Sequence, residues 1–141
     1  MEKTCAIVSI PENQLMRELG EKACLLDARS VAESIEKLAD SGVREFLVAM
    51  DDGGGLLAAE AVLKLKKAYP EIRLACLMLW EEQAAHWPES LRNRWFAAFA
   101  ACDREIILER RRSKDNLQKR NCFLKEYSPS LLVIGGAPAA S

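Results

Sequence analysis

A glycine-rich turn is the first candidate for chemistry in this chain. Met50-Asp51-Asp52 runs into Gly53, Gly54 and Gly55, between an apolar run and a segment of helical periodicity. Glycines at such a junction let backbone N–H groups approach a phosphate at a helix N-terminus. The aspartates oppose this, because a like charge within about 4–6 Å disfavours a phosphate. A phosphate-binding turn and a tight turn with solvated aspartates therefore both stay open.

A second candidate lies in the segment KDNLQKRNCFLKEY. Leu117, Asn121 and Leu124 are spaced i, i+4, i+7, which places Asn121 on the apolar stripe of a helix. A buried amide without a partner costs about 1–3 kcal/mol, so Asn121 either pins a neighbouring loop or contacts a ligand. We favour a contact at the strand ends, since this helix begins near that rim, and Arg120 could face the same rim. The basic run 110–112 favours a solvated face over a phosphate site, because no aromatic residues interleave with it.

Gln83 and Trp87 follow the third apolar run and could offer a ligand a hydrogen bond and a stacking face, although such a tryptophan is more often core. His86 is the only histidine, which excludes multi-histidine metal sites, and no GxSxG motif is present. Glu81 and Glu82 are adjacent and point to different sides of a helix, so they form a poor acid–base pair. No catalytic residue and no metal site is predicted.

The composition narrows the class of protein. With 141 residues, half of them hydrophobic, and a net charge of -1, the chain predicts one globular domain over residues 1–141 and no nucleic-acid partner. Neither a signal-peptide pattern nor an apolar run of membrane-spanning length occurs, which predicts a cytoplasmic protein without a membrane partner. The five cysteines are dispersed without a CxxC pair. They are expected to be reduced thiols, buried or half-buried.

The elements that must position these residues alternate along the chain. Strands are predicted at residues 4–9, 44–50, 72–79, 104–108 and 130–134, with helical segments between them. This alternation predicts a three-layer, doubly wound, mainly parallel five-stranded α/β sheet. Ligands in such sheets lie beyond the carboxyl ends of the strands, near the topological switch point. Residues 136–141 are expected to be a disordered or truncated tail.

Four pieces of the chain carry a family resemblance. They are GGLLAAEAVLKLKKAYPEIRLACLML, EEQAAHW, RWFAAFAACDREIIL and QKRNCFLKEYSPSLLVIGG, in this order. The stretch from about Gly42 to Ile134 resembles the YpsA-like family of the bacterial SLOG (SMF/DprA–LOG) superfamily, whose domains are Rossmann-like. The resemblance implies a nucleotide-derived ligand, with phosphoribohydrolase activity in one branch of the superfamily. Positions that match the family pattern are Gly53, Gln83, Trp87, Gln118, Arg120 and Asn121.

The chain also departs from that pattern. The family's first strand ends in Thr-Gly-His-Arg-Pro, whereas residues 7–11 read IVSIP, so a histidine and an arginine are missing. Residues 53–55 read GGG where the family has GxD, which removes a carboxylate. Gly135 and Gly136 resemble the Gly-Gly-Thr turn, with alanine in place of threonine. The superfamily's catalytic pattern is therefore incomplete.

Three functions follow as hypotheses. The leading one is a regulatory or sensing domain with a degenerate site that binds a nucleotide or ADP-ribose-like ligand without catalysis. Its expected contacts are Gly53, Gly54, Gly55, Gln83, Trp87, Arg120, Asn121, Gly135 and Gly136. The second is a nucleotide or nucleotide-sugar hydrolase in which Asp51 or Asp52 replaces the missing carboxylate. The third is a non-catalytic protein-interaction module, such as a homodimer that associates through an exposed helix.

Overall fold

The computed structural model describes residues 3–10, 28–51, 54–128 and 130–135, where five strands alternate with four helices. In chain order these are β1 (Lys3–Ile10), α1 (Ala28–Asp40), β2 (Val43–Ala49), α2 (Gly54–Ala68), β3 (Arg73–Trp80), α3 (Glu89–Ala101), β4 (Arg104–Glu109), α4 (Asn116–Tyr127) and β5 (Leu131–Gly135). The predicted α/β alternation is confirmed, and the predicted strands differ from these bounds by a residue or so at each end. The predicted tail, 136–141, lies outside the described residues.

The strands form one sheet in the order β4-β3-β2-β1-β5, and every neighbouring pair is parallel. From β1 to β4 each new strand is added on the same side, and the chain then crosses back to place β5 beside β1. The winding direction therefore changes between β1 and β5. Near the carboxyl end of this pair, Ser9 is in register with Ile134, and Ile10 with Gly135.

Apolar side chains project from both faces of the sheet and form two hydrophobic cores. On one face, Phe46 and Leu74 pack with residues of the first three helices, among them Ile35, Leu56 and Trp95. On the other face, the core contains Ala6, Val8, Leu47, Ala49, Ala75 and Leu77 from the strands together with Leu124 of α4. The sheet thus forms the middle of three layers, as the near-continuous apolar strand sequences predict.

Local sequence sets the helix boundaries that matter for this arrangement. Gly42 follows α1 with φ of 110°, a conformation that L side chains rarely adopt, and it ends that helix. Pro88 stands immediately before α3, where its missing N–H costs no intrahelical bond. In α3, Leu91, Trp95, Ala98 and Phe99 recur at helical spacing and are all buried. Because all five strands are parallel, the loops that follow β2, β3 and β4 lie at the same carboxyl edge of the sheet.

Candidate functional site

The amino end of α2 lies directly on the point where the sheet changes winding direction. A Cβ atom at Gly54 would lie 2.7 Å from Cγ2 of Ile134 and 2.8 Å from Oγ of Ser9. Only glycine lets the helix approach so closely, because real Cβ atoms essentially never show contacts under 3.0 Å. The structure therefore brings together the glycine turn, the end of β1 and the end of β5. Gly53 and Gly136 lie outside the described residues.

Gly55 and Asp51 complete the start of this helix. The backbone N–H of Gly55 donates to Oδ1 of Asp51 at 2.9 Å, so the carboxylate occupies one of the helix's N-terminal donors. A Cβ at Gly55 would lie 2.3 Å from the carbonyl oxygen of Ala49. Packing alone thus explains why Gly54 and Gly55 are glycines. Their contact with a ligand stays a prediction.

Gln83 joins the ends of two neighbouring strands. Its side chain is buried, with Oε1 accepting from the N–H of Leu79 at 2.7 Å and Nε2 donating to the carbonyl oxygen of Met50 at 2.9 Å. These hydrogen bonds connect Met50, just after β2, to Leu79 near the carboxyl end of β3. The predicted hydrogen-bonding capacity of Gln83 is therefore used to fix the rim of the site.

Trp80 and Trp87 are both half-buried, but they have different neighbours. Trp87 packs its ring edge-on against Trp95, with centroids 4.8 Å apart and an interplanar angle of 82°. Trp87 thus packs against the core formed with the first three helices, as expected of a core tryptophan. Trp80, the last residue of β3, lies beside Arg112, whose guanidinium is 5.7 Å from the ring centroid. His86 is exposed.

Helix α4 is set differently on the sheet from the predicted orientation. Its buried residues are Asn116, Arg120 and Leu124, spaced i, i+4, i+8, whereas Leu117 is 44% exposed. Of the predicted stripe, Leu124 is buried and Asn121 is half-buried, but the burial predicted for Leu117 is wrong, because the helix presents the row through Asn116 and Arg120 to the protein interior. Asn121 is half-buried, and its Oδ1 accepts from Nε and Nη2 of Arg120 at 3.1 and 3.0 Å. The predicted pair is thus in mutual contact.

A polar network that sequence analysis missed anchors the start of α4. Oδ1 of Asn116 accepts from the N–H of Ser113 at 2.5 Å, and Nδ2 donates to Glu109 at 2.7 Å. The ammonium of Lys119 donates to the same carboxylate at 2.8 Å. The hydrogen bond from Lys119 lowers the pKa of Glu109 most, with further contributions from Asn116 and Ser113. An asparagine beside Asp115 just before a helical segment was the available signal.

The carboxyl edge beyond β3 and β4 carries an open cleft of about 640 Å³. Its lining is Trp80, Glu81, Glu82, Arg110, Arg111 and Arg112. The three arginines are exposed, as the sequence predicts, and they line this cleft together. In the described ranges no group of three or more histidine, cysteine, aspartate or glutamate side chains could hold a metal ion. No helix among those ranges is long and apolar enough to cross a membrane.

The cysteines of the described residues are free thiols. Cys5 and Cys76 are buried, Cys102 is half-buried, and Cys122 is exposed, which corrects the expectation of burial for that residue. Burial raises the pKa of the Cys5, Cys76 and Cys102 thiols, which disfavours the reactive thiolate. Cys24 lies outside the described residues. The buried thiols therefore behave as packing residues.

Comparison with known proteins gives a consistent assignment. Residues 21–135 match the sequence model of YpsA, described as the YspA SLOG family. A UPF0398 protein of Halalkalibacterium halodurans is 32% identical over 108 residues, which cover 75% of this chain and 57% of that protein. The UPF0398 protein YpsA of Bacillus subtilis is 28% identical over 116 residues, covering 81% and 64%. The chain thus spans less than two thirds of the length of these relatives. It belongs to the YpsA family of SLOG proteins.

Proposed function

We propose that this chain binds a nucleotide-derived small molecule at the switch point between β1 and β5 and acts there as a sensor without catalysis. One observation carries the proposal. The amino end of α2 rests on Ser9 and Ile134, so the positive end of a helix dipole meets the position where doubly wound sheets receive ligands. A phosphate group is the part of a nucleotide that such a helix end favours.

The carboxylate of Asp51 favours one kind of chemical group beside the bound phosphate. Asp51 already accepts the N–H of Gly55, so a second phosphate close to Asp51 would meet a like charge. A hydroxyl-bearing group, such as a ribose, suits that side better because it can donate to a carboxylate. Nucleotides with a ribose next to a phosphate combine both requirements. Gln83 supports the site indirectly, by holding the end of β3 to the chain after β2.

Titration with AMP, ADP-ribose and NAD, followed by ¹H–¹⁵N correlation spectra, tests the proposal. We expect the amide resonances of Ser9, Gly54, Gly55 and Ile134 to move with a saturable dependence on ligand concentration. At a ligand concentration of 100 Kd the protein should also gain about 2.7 kcal/mol of stability. The absence of a shift at these four amides with all three ligands would refute binding at this place.

Chromatography of the same mixtures separates a sensor from a hydrolase. Under the proposal the nucleotide is recovered intact after prolonged incubation with the protein. Release of a base or a sugar phosphate would contradict the non-catalytic role. In that case Asp51→Asn is the informative variant, because asparagine can still accept the N–H of Gly55 but cannot act as a carboxylate base.

A further inference from the structure

A second ligand position stands apart from the switch point. The cleft bounded by Trp80, by Glu81 and Glu82, and by the arginines 110–112 opens beyond the carboxyl ends of β3 and β4. Three strand spacings, about 14 Å, separate the boundary between β3 and β4 from the boundary between β1 and β5. A mononucleotide bound at one of these positions therefore leaves the other open.

The segment 110–112, which carries the three arginines of this cleft, is anchored by the polar network at the start of α4. Glu109, the last residue of β4, is held by Asn116 and Lys119, and Asn116 also binds the backbone of Ser113. Asn116 is itself almost completely buried. Both ends of the segment 110–112 are thus attached to defined elements, while its three side chains reach solvent. Because the backbone of this segment is held at both ends, a ligand that contacts its side chains has less protein chain to order on binding.

Trp80 contributes to the lining of two hollows. One is the cleft just described, and the other is a groove of about 570 Å³ lined also by Leu79, Leu117 and residues 112–116 other than Asp115. Trp80 and Arg112 line both of them. The guanidinium of Arg112 lies over the ring at 5.7 Å, a position that a planar aromatic group could take. The displaced guanidinium would then be available to an anion.

The charges around the ring supply both kinds of polar contact that a nucleotide needs. Arg110 and Glu81 approach each other at 3.9 Å with both side chains largely exposed, which makes a weak pair. Within the described ranges, the side chains of Arg111 and Glu82 have no hydrogen-bond or ion-pair partner. Guanidinium groups recognise phosphate, and carboxylates accept hydrogen bonds from the amino groups of a purine.

We propose that this cleft binds a purine mononucleotide, with the base stacked on Trp80, its amino group donating to Glu81 or Glu82, and the phosphate held by Arg111 and Arg112. The proposal goes beyond the function assigned to the switch point and does not depend on it. Base and phosphate are both required, since the ring alone lacks charge and the arginines alone lack a stacking face.

Calorimetric titration with GMP and AMP tests this site, with guanosine and inorganic pyrophosphate as probes for base and anion alone. We expect Trp80→Leu to weaken binding of the better nucleotide about tenfold or more, while Trp80→Phe, which keeps a stacking face, retains most of it. Arg111→Gln should weaken the nucleotide but leave guanosine unchanged. Arg29→Gln removes a guanidinium that is 89% exposed on α1 and should change nothing.

Three results would overturn the proposal. One is the same nucleotide affinity in Trp80→Leu as in the unaltered protein, and another is pyrophosphate binding as tightly as the nucleotide. The third is a nucleotide that perturbs the amides of Gly54 and Ser9 but leaves the indole N–H resonance of Trp80 unmoved. That last pattern would refute this site and still support the switch point, so the two proposals fail separately.

Discussion

Replacing Gln83 by leucine separates a structural role for this residue from a ligand contact. Leucine has a similar size but neither accepts the N–H of Leu79 nor donates to the carbonyl oxygen of Met50, which lie 2.7 and 2.9 Å from the native side chain. Each buried polar group that loses its partner costs about 1–3 kcal/mol. The two losses sum to about 2–6 kcal/mol, and the added apolar burial offsets part of this cost, so the free energy of unfolding should fall by about 2–5 kcal/mol.

Urea unfolding followed by far-ultraviolet circular dichroism measures this loss, with an unchanged m value expected because the fold is retained. Gln118→Leu is the matched control, since Gln118 is exposed on α4 and its replacement should change stability by no more than about 0.5 kcal/mol. A Gln83→Leu protein as stable as the unaltered one, yet unable to bind nucleotide, would refute the structural role. Gln83 would then be a direct ligand contact.

Gln83→Glu adds a pH-dependent version of the same test. A protonated glutamic acid keeps both an acceptor for Leu79 and a donor for Met50, whereas the ionised form loses the donor. The folded protein should therefore raise the pKa of this carboxyl above its unfolded value of about 4.3. The stabilising contribution of the side chain is complete below that unfolded value and is lost as the pH rises through the folded pKa. Stability that does not change with pH relative to the native protein would contradict the geometry.

Two further predictions follow from the packing and the charges. Gly55→Ala should lower the free energy of unfolding by about 1–3 kcal/mol. The loss should exceed that of Gly54→Ala, because the added Cβ at position 55 would meet a backbone carbonyl, whereas at position 54 it would meet side chains. A urea titration in which Gly55→Ala is more stable than Gly54→Ala would contradict this. The pKa of Asp103 is lowered, because the hydrogen bonds from Lys66 and from the N–H of Leu74 outweigh the opposing effect of burial. The Asp103 carboxylate therefore stabilises the protein above its unfolded pKa, and this stabilisation is lost as the pH falls through its folded pKa. Asp103→Asn should therefore destabilise the protein at pH 7 more than at pH 3, and an equal loss at both would argue against the ion pair.

The elements of the fold could be predicted because their periodicities are unambiguous. Ile72–Leu79 is almost wholly apolar, which indicates a strand covered on both faces, and β3 is buried along nearly its whole length. In α3, Leu91, Trp95 and Phe99 repeat at helical spacing, and all three are buried. Local chain geometry alone decides such patterns, so no knowledge of distant contacts is needed.

The setting of α4 could not be predicted in the same way. Its sequence mixes charged and apolar residues, and the rows through Leu117 and through Arg120 are both plausible inner faces. The row through Asn116 and Arg120 is buried because each of these polar side chains finds hydrogen-bond partners in Glu109, Ser113 or Asn121. Those partners compensate for the cost of burial, and a hydrophobic pattern does not reveal them.

By itself the sequence determined the α/β alternation, the glycine turn after β2 and the family of the chain. The tertiary structure alone decided that Gly54 touches the ends of β1 and β5, residues that are 45 and 80 positions away along the chain. It also decided that Trp80 lies beside the arginines 110–112, whereas Trp87 packs against Trp95. The physical reason is the same in both cases. A strand's place in the sheet and a side chain's exposure depend on contacts between distant segments, whereas periodicity reports only the local face.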